Sequence, residues 1–147
     1  MQVDRGYLSP YFVTSQDKMV AELDKPYILL CNKKIDNIRE LMPILEKIVE
    51  TQRSLLIISD DIEGDAMQGL VVNKTRGSLK VCAIKAPGFG ENRINMLNDL
   101  SVMIGADIIS DATDITLTTA ELRNLGTCKK VVVGRTSTIF VGCNSEN

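Results

Sequence analysis

Leu55 to Ser59 (LLIIS) is an uncharged, aliphatic run, and a helical pattern begins about six residues beyond it. A short continuous apolar run bounded by turn residues is the mark of a buried strand. The acids that follow fit a turn and a helix start. Asp60 and Asp61 suit capping positions, while Glu63 and Asp65 suit the positive end of a helix dipole. Leu55 to Gly77 therefore reads as buried strand, acidic turn, then a short helix from about Asp65 to Lys74. On that helix Ala66, Leu70, Met67 and Val71 fill an arc of roughly 140°, and Val72 lies well outside it. A short surface helix needs one apolar stripe to hold itself down. This one carries apolar side chains beyond that need.

A second helix shows the same surplus. Asp36 to Glu50 (DNIRELMPILEKIVE) offers Asp36 or Asn37 as N-cap, with Glu40 placed to complete a capping box. Pro43 moves the expected start of the regular helix to near Leu41, because proline fits only the first turn. Leu41, Ile44 and Ile48 sit at one side of an apolar arc of roughly 160°, and Leu45, Ile38, Val49 and Met42 continue it. Core packing accounts for the first group.

The remaining elements make an α/β chain. Tyr27–Cys31 (YILLC), introduced by Pro26, and Leu79–Ala86 (LKVCAIKA) read as strands. A helix follows from about Glu91 to Ile104, with Ile94, Leu97, Leu100, Ser101 and Ile104 on its core-facing stripe and Gly105 as its stop. Ala106–Ser110, Val131–Val133 and Thr138–Val141 are expected strands, and Thr119–Leu122 a helical turn. Val13 to Lys25 is polar with a short mixed run, and the terminal NSEN looks frayed. Residues 1–12, broken by Gly6 and Pro10, read as an extended segment that holds Tyr7, Tyr11 and Phe12. Alternating strands and helices predict an α/β domain, but the strand-rich N-terminal third argues against a simple doubly wound sheet.

At 147 residues the chain suffices for one domain with a real core. A net charge of −2 argues against a nucleic-acid role, which calls for a basic face. The sequence holds no run of membrane-spanning length and no signal peptide pattern. Histidine is absent, which removes the commonest general base and the commonest metal ligand together. The cysteines, Cys31, Cys82, Cys128 and Cys143, form no C-x-x-C pair, so no zinc site is expected. They are expected to be reduced thiols of an intracellular protein.

One catalytic feature competes. Pro87-Gly88-Phe89-Gly90 precedes a helix, and backbone amides at a helix N-terminus can hold a phosphate. The alternative reading is thus an α/β enzyme domain that binds a phosphate or nucleotide there. The pattern matches neither a P-loop nor a dinucleotide fingerprint, and Glu91 would repel an anion. Asp60–Asp61 reads as a cap and a solvated acid, and no nucleophile has a partner base. A third reading is a structural domain with both overwide helices buried. The surplus apolar surface instead points to protein binding: if the two helices adjoin, they form a groove for amphipathic or extended segments.

The segments DRGYLSPYF, KKIDNIRELMPILE, LLIISDDIEGDAMQGLVVNKTRG and KAPGFGENR closely resemble, in wording and order, the apical domain of group I chaperonins, the GroEL family. The resemblance covers nearly the whole chain. It implies that 1–147 is a single apical domain, excised from a ring-forming parent whose equatorial domain and most of whose intermediate domain are absent. The implied fold is a β-sandwich core flanked by helices, two of which line an apolar groove. The implied partners are unfolded polypeptides, a GroES-type co-chaperonin and other chaperonin subunits, with no nucleic acid and no membrane. By motif position the first groove helix gives Met42, Leu45 and Val49, and the second gives Met67, Val71 and Val72. Tyr7, Tyr11 and Phe12 match the aromatic segment beneath, and Asn73 and Arg76 fall where they can bond to a bound backbone. The domain itself would take no cofactor and catalyse nothing, since ATP and Mg would belong to the absent equatorial domain. The implied compartment is the bacterial cytoplasm, a plastid or the mitochondrial matrix, and the fragment is expected to be monomeric. The chain departs from the family in having Met42 and Met67 where leucine is usual, and Gln68-Gly69 where small helix formers are commoner.

Overall fold

The computed structural model describes residues 2–3, 5–7, 12, 17–32, 34–35, 38–59, 61–62, 64–75, 80–85, 90–109 and 125–143. Their elements follow in the order β1 (Gln2–Val3), β2 (Ala21–Asp24), β3 (Tyr27–Cys31), β4 (Lys34–Ile35), α1 (Ile38–Thr51), β5 (Leu55–Ser59), β6 (Asp61–Ile62), α2 (Gly64–Thr75), β7 (Val81–Lys85), α3 (Gly90–Ile104), β8 (Ile108–Ile109), β9 (Gly126–Val133) and β10 (Thr138–Cys143). The α/β reading holds at this level: three helices and a mixed sheet.

The aliphatic runs form its parallel block. β3 pairs with β5 and β5 with β7, both parallel, with Ile28 opposite Leu56 and Leu56 opposite Cys82. Ile28–Cys31, Leu55–Ser59 and Val81–Ile84 are buried residue after residue. Continuous burial replaces alternation because parallel strands joined by helical crossovers are covered on both faces. The crossovers through α1 and α2 both step in the same direction across the sheet, from β3 to β5 to β7. Right-handed connection therefore puts α1 and α2 on one face, and they pack against each other. The crossover through α3 returns to β8, on the far edge of β3. The same rule places α3 on the opposite face, where it packs on β3, β8 and β9.

β9 joins this block to an antiparallel ladder. It pairs with β10 along one edge, and with β2 and then β3 along the other. β2 and β3 keep one register against β9, so they act as a single strand bent at Lys25 and Pro26. Lys25 has φ 49°, its N–H donates to the Lys129 carbonyl at 2.8 Å, and Pro26 supplies no donor of its own. Arg53 pins the bend from the far side. Its Nε donates to the Lys25 carbonyl at 2.8 Å, and its guanidinium sits 4.2 Å from the Tyr27 ring centroid. The N-terminal segment threads along the β9–β10 turn. A Cβ at Gly6 would clash with the Arg135 carbonyl oxygen, so only glycine allows the approach.

Several expectations need correction. α1 begins at Ile38, not Leu41, with Pro43 inside it. The bond that Pro43 removes would reach Arg39, the helix's second residue, and burial of Leu41, Ile44, Leu45 and Ile48 holds the helix in place. The sequence pattern predicts none of β2, β4 and β6, which at four residues or fewer are too short for a clear period. β9 begins at Gly126, five residues before the expected Val131, because GTCKK has little apolar character of its own. Ile94 is 47% exposed, off the stripe of buried Leu97, Leu100 and Ile104. The expectation of four reduced thiols is overturned. Cys31 and Cys82 are buried thiols, but Cys128 is disulfide-bonded. Cys128 stands directly opposite Cys143 in the β9–β10 ladder. The cysteines thus no longer argue for a reducing compartment. The helical turn expected at Thr119–Leu122 and the tail from 144 lie outside the described residues. Among the described residues no helix is long and apolar enough to cross a membrane.

Candidate functional site

The starts of α1 and α2 are tied together. β4 and β6, just beyond the carboxyl ends of β3 and β5, pair in parallel with Lys34 opposite Asp61 and Ile35 opposite Ile62. Paired strands lie about 4.8 Å apart, and each helix begins within three residues of its strand. Ile35 and Ile62 are buried beneath this clamp, and the Ile62 N–H donates to Asp61 Oδ1 at 2.9 Å. Gly64 opens α2 at φ 56°, a conformation that side chains with a Cβ resist. The two helices therefore leave the clamp side by side.

Their side chains divide by depth. Leu41, Ile44, Leu45 and Ile48 of α1, and Ala66 and Leu70 of α2, are buried in the core. Met67 and Val71 are half-buried and pack against that core. Met42 at 39%, Val49 at 45% and Val72 at 45% stand in water. Exposure follows position on the wheel: Met42 and Val49 lie at the far margin of the α1 arc, and Val72 outside that of α2.

The aromatic and polar candidates are distributed differently. Phe12 is fully buried. Tyr7 is half-buried and bridges in backbone to Ile84 of β7; its N–H donates to the Gly134 carbonyl at 3.2 Å and its hydroxyl to the Met19 carbonyl at 3.3 Å. Asn73 is half-buried, and its Nδ2 donates at 2.8 Å to the Gly69 carbonyl one turn back, which leaves Oδ1 to accept from a ligand. Tyr11 and Arg76 lie outside the described residues. The structure thus brings Met42, Leu45, Val49, Met67, Val71, Val72 and Asn73 onto two adjoining helices, with Leu45 closed into the core.

Little else in the described residues carries chemistry. No three His, Cys, Asp or Glu side chains among them come together in a way that suits a metal ion. Pro87 to Phe89 of the PGFG turn lie outside them, and Gly90 begins α3. Cys82 is closed into the core, and burial pushes its thiol up to about 12 against the weaker opposing effects of the Ala83 backbone and the Lys74 charge. The chain matches no protein-family model.

Proposed function

We propose that this chain is the substrate-binding domain of a group I chaperonin, with the apical-domain fold, and that the α1–α2 face captures non-native polypeptides. The observation behind this reading is the exposure of Met42, Val49 and Val72 on two helices packed side by side, with Met67 and Val71 half-open beside them. Apolar side chains from two neighbouring helices form a groove into which an amphipathic or extended segment lays its own apolar residues. Burying each such side chain fully stabilises by roughly 1.5–3 kcal/mol. Ordering both partners opposes this, so one groove binds at micromolar strength or weaker and gains from repetition around a ring. Capture is then reversible. The same face would receive the mobile loop of a GroES-type co-chaperonin, with release driven by ATP and Mg in a separate equatorial domain of a longer parent. On this reading the domain holds no cofactor and is not an enzyme.

Isothermal titration of the 147-residue chain with a GroES-type mobile-loop peptide tests this, run on wild type and on Val72→Glu. The expected result is weak binding by wild type that a folded Val72→Glu loses. No heat from wild type, or equal binding by both, removes the site.

A further inference from the structure

Two of the groove residues carry sulfur. Met42 on α1 is 39% exposed, and Met67 on the adjoining α2 is half-buried. Of the other described methionines, Met19 is 37% exposed in the turn before β2, and Met96 and Met103 are half-buried on α3. The described cysteines are poor competitors for an oxidant. Cys31 and Cys82 are buried thiols, Cys128 is already in a disulfide, and burial that lifts the Cys82 thiol to about 12 keeps it from forming a thiolate. Met42 is thus an accessible, oxidisable sulfur within an apolar face that has to stay apolar to work.

We propose that Met42 makes the α1–α2 face responsive to peroxide: its oxidation to the sulfoxide weakens capture of apolar segments, and enzymatic reduction restores it. This rests on the reading of that face as the capture surface. A lone pair of the Met42 thioether attacks one oxygen of hydrogen peroxide, the O–O bond breaks, and the departing oxygen takes up the proton to leave as water. Sulfur is oxidised by two electrons and peroxide is reduced by two. Reduction uses two thiol equivalents by way of a methionine sulfoxide reductase, giving thioether, disulfide and water. The sulfoxide is a strong acceptor, and an apolar ligand that covers it supplies no donor. Burying such a group without a partner weakens binding by roughly tenfold. Because Met42 projects into water, its oxidation leaves the packing of α1 intact. Met67, half-buried against the core, reacts more slowly.

The 147-residue chain is exposed to hydrogen peroxide for increasing times, sulfoxides are mapped by peptide mass spectrometry, and the GroES-type mobile-loop peptide is titrated at each point. Circular dichroism follows the fold. Affinity is expected to fall about tenfold in step with Met42 sulfoxide, and to return after treatment with methionine sulfoxide reductase and a thiol reductant. Whatever its starting affinity, the double variant Met42→Leu, Met67→Leu is expected to lose none of it on oxidation, while Met19→Leu loses affinity as wild type does. Full oxidation of Met42 with unchanged affinity, or equal loss in the double variant, overturns this proposal alone. No binding before any oxidation overturns the capture reading and this proposal with it.

Discussion

α1 and α2 lie together on one face of the parallel strands, whereas α3 packs on the other. Both layers leave large apolar side chains in water, and by exposure alone α3 is the more extreme: Val102 is 75% exposed and Ile94 47%, against 45% for Val49 and Val72. Yet Ile94 and Val102 are eight residues apart on one helix, about 12 Å along its axis. Exposed Asn95, Asn98 and Asp99 lie between them in sequence. Isolated apolar residues on a surface are ordinary. On the other face, Met42, Val49 and Val72 come from two helices whose starts are clamped by the β4–β6 pair, so their apolar surfaces add. Adjacency, more than exposure, makes the α1–α2 face the candidate for binding and leaves Ile94 and Val102 as stray hydrophobes.

The largest effects should come from the inner sides of the two layers, where the comparison predicts no difference. Ile48→Ala in α1 and Leu100→Ala in α3 each remove a fully buried side chain. Each should cost about 2–5 kcal/mol in urea unfolding. A much smaller loss for either would mean that its helix does not share the core.

That symmetry of the inner faces was legible from the residues, and much of the rest was not. The parallel strands announce themselves because burial on both faces demands unbroken runs such as LLIIS and YILLC. β2 and the first half of β9 lack such runs. AELD becomes a strand against Lys130–Val133 of β9, and GTCKK against β3 and the end of β10, long-range events with little local trace. The disulfide at Cys128 has no local trace either, because the spacing of cysteines in the sequence does not fix which of them the fold brings together. For the candidate site, the helical wheel ranked the residues well. Leu45 lies nearer the centre of its arc than Val49 or Met42, and it is buried while they are exposed. Whether the two arcs adjoin depended on crossover handedness and on the β4–β6 clamp, neither of which periodicity reveals. Ile94 was misplaced because it sits at the edge of its stripe.

The outer sides should separate the layers. Val72→Glu is expected to lower affinity for a GroES-type mobile-loop peptide at least tenfold, about 1.4 kcal/mol, with stability changed by no more than about 0.5 kcal/mol. Val102→Glu, at the more exposed position, should leave that affinity unchanged in the same titration. Equal losses from both would show that adjacency is irrelevant.

The helix ends offer a finer contrast. α3 stops on Gly105 at φ 74°, where the N–H groups of Gly105 and Ala106 both donate to the Ser101 carbonyl and Ser101 Oγ donates to that of Ala106. α1 stops on Gln52 in the same left-handed region, at φ 60°, with its N–H donating to the Val49 carbonyl. A side chain there is strained where glycine is not. Gly105→Ala should therefore cost about 1–2 kcal/mol, since a Cβ would meet open space and strain alone decides. Gln52→Gly should gain about 0.5–1 kcal/mol, the difference between relieved strain and a more flexible unfolded chain. Thermal unfolding reads both signs.

Between the layers runs β7, whose Cys82 is fully buried yet close enough to α2 to feel the Lys74 charge. At neutral pH its titration contributes nothing to stability, because the thiol is protonated in folded and unfolded chains alike. Burial raises its pKa from 9.0 to about 12 in the folded state. The unfolded chain therefore releases this proton first as pH rises, and stability that is fully present below pH 9 is lost progressively toward pH 12. The slope attributable to one proton is about 1.4 kcal/mol per pH unit. Lysine and tyrosine titrate in the same range, so the informative quantity is the difference between wild type and Cys82→Ala in urea unfolding at a series of pH values. The variant should start less stable at pH 8, having lost packing, and should fall less steeply between pH 9 and pH 12. Parallel curves would place the Cys82 thiol within reach of water, and the seal between β7 and the α1–α2 layer would then be looser than its burial implies.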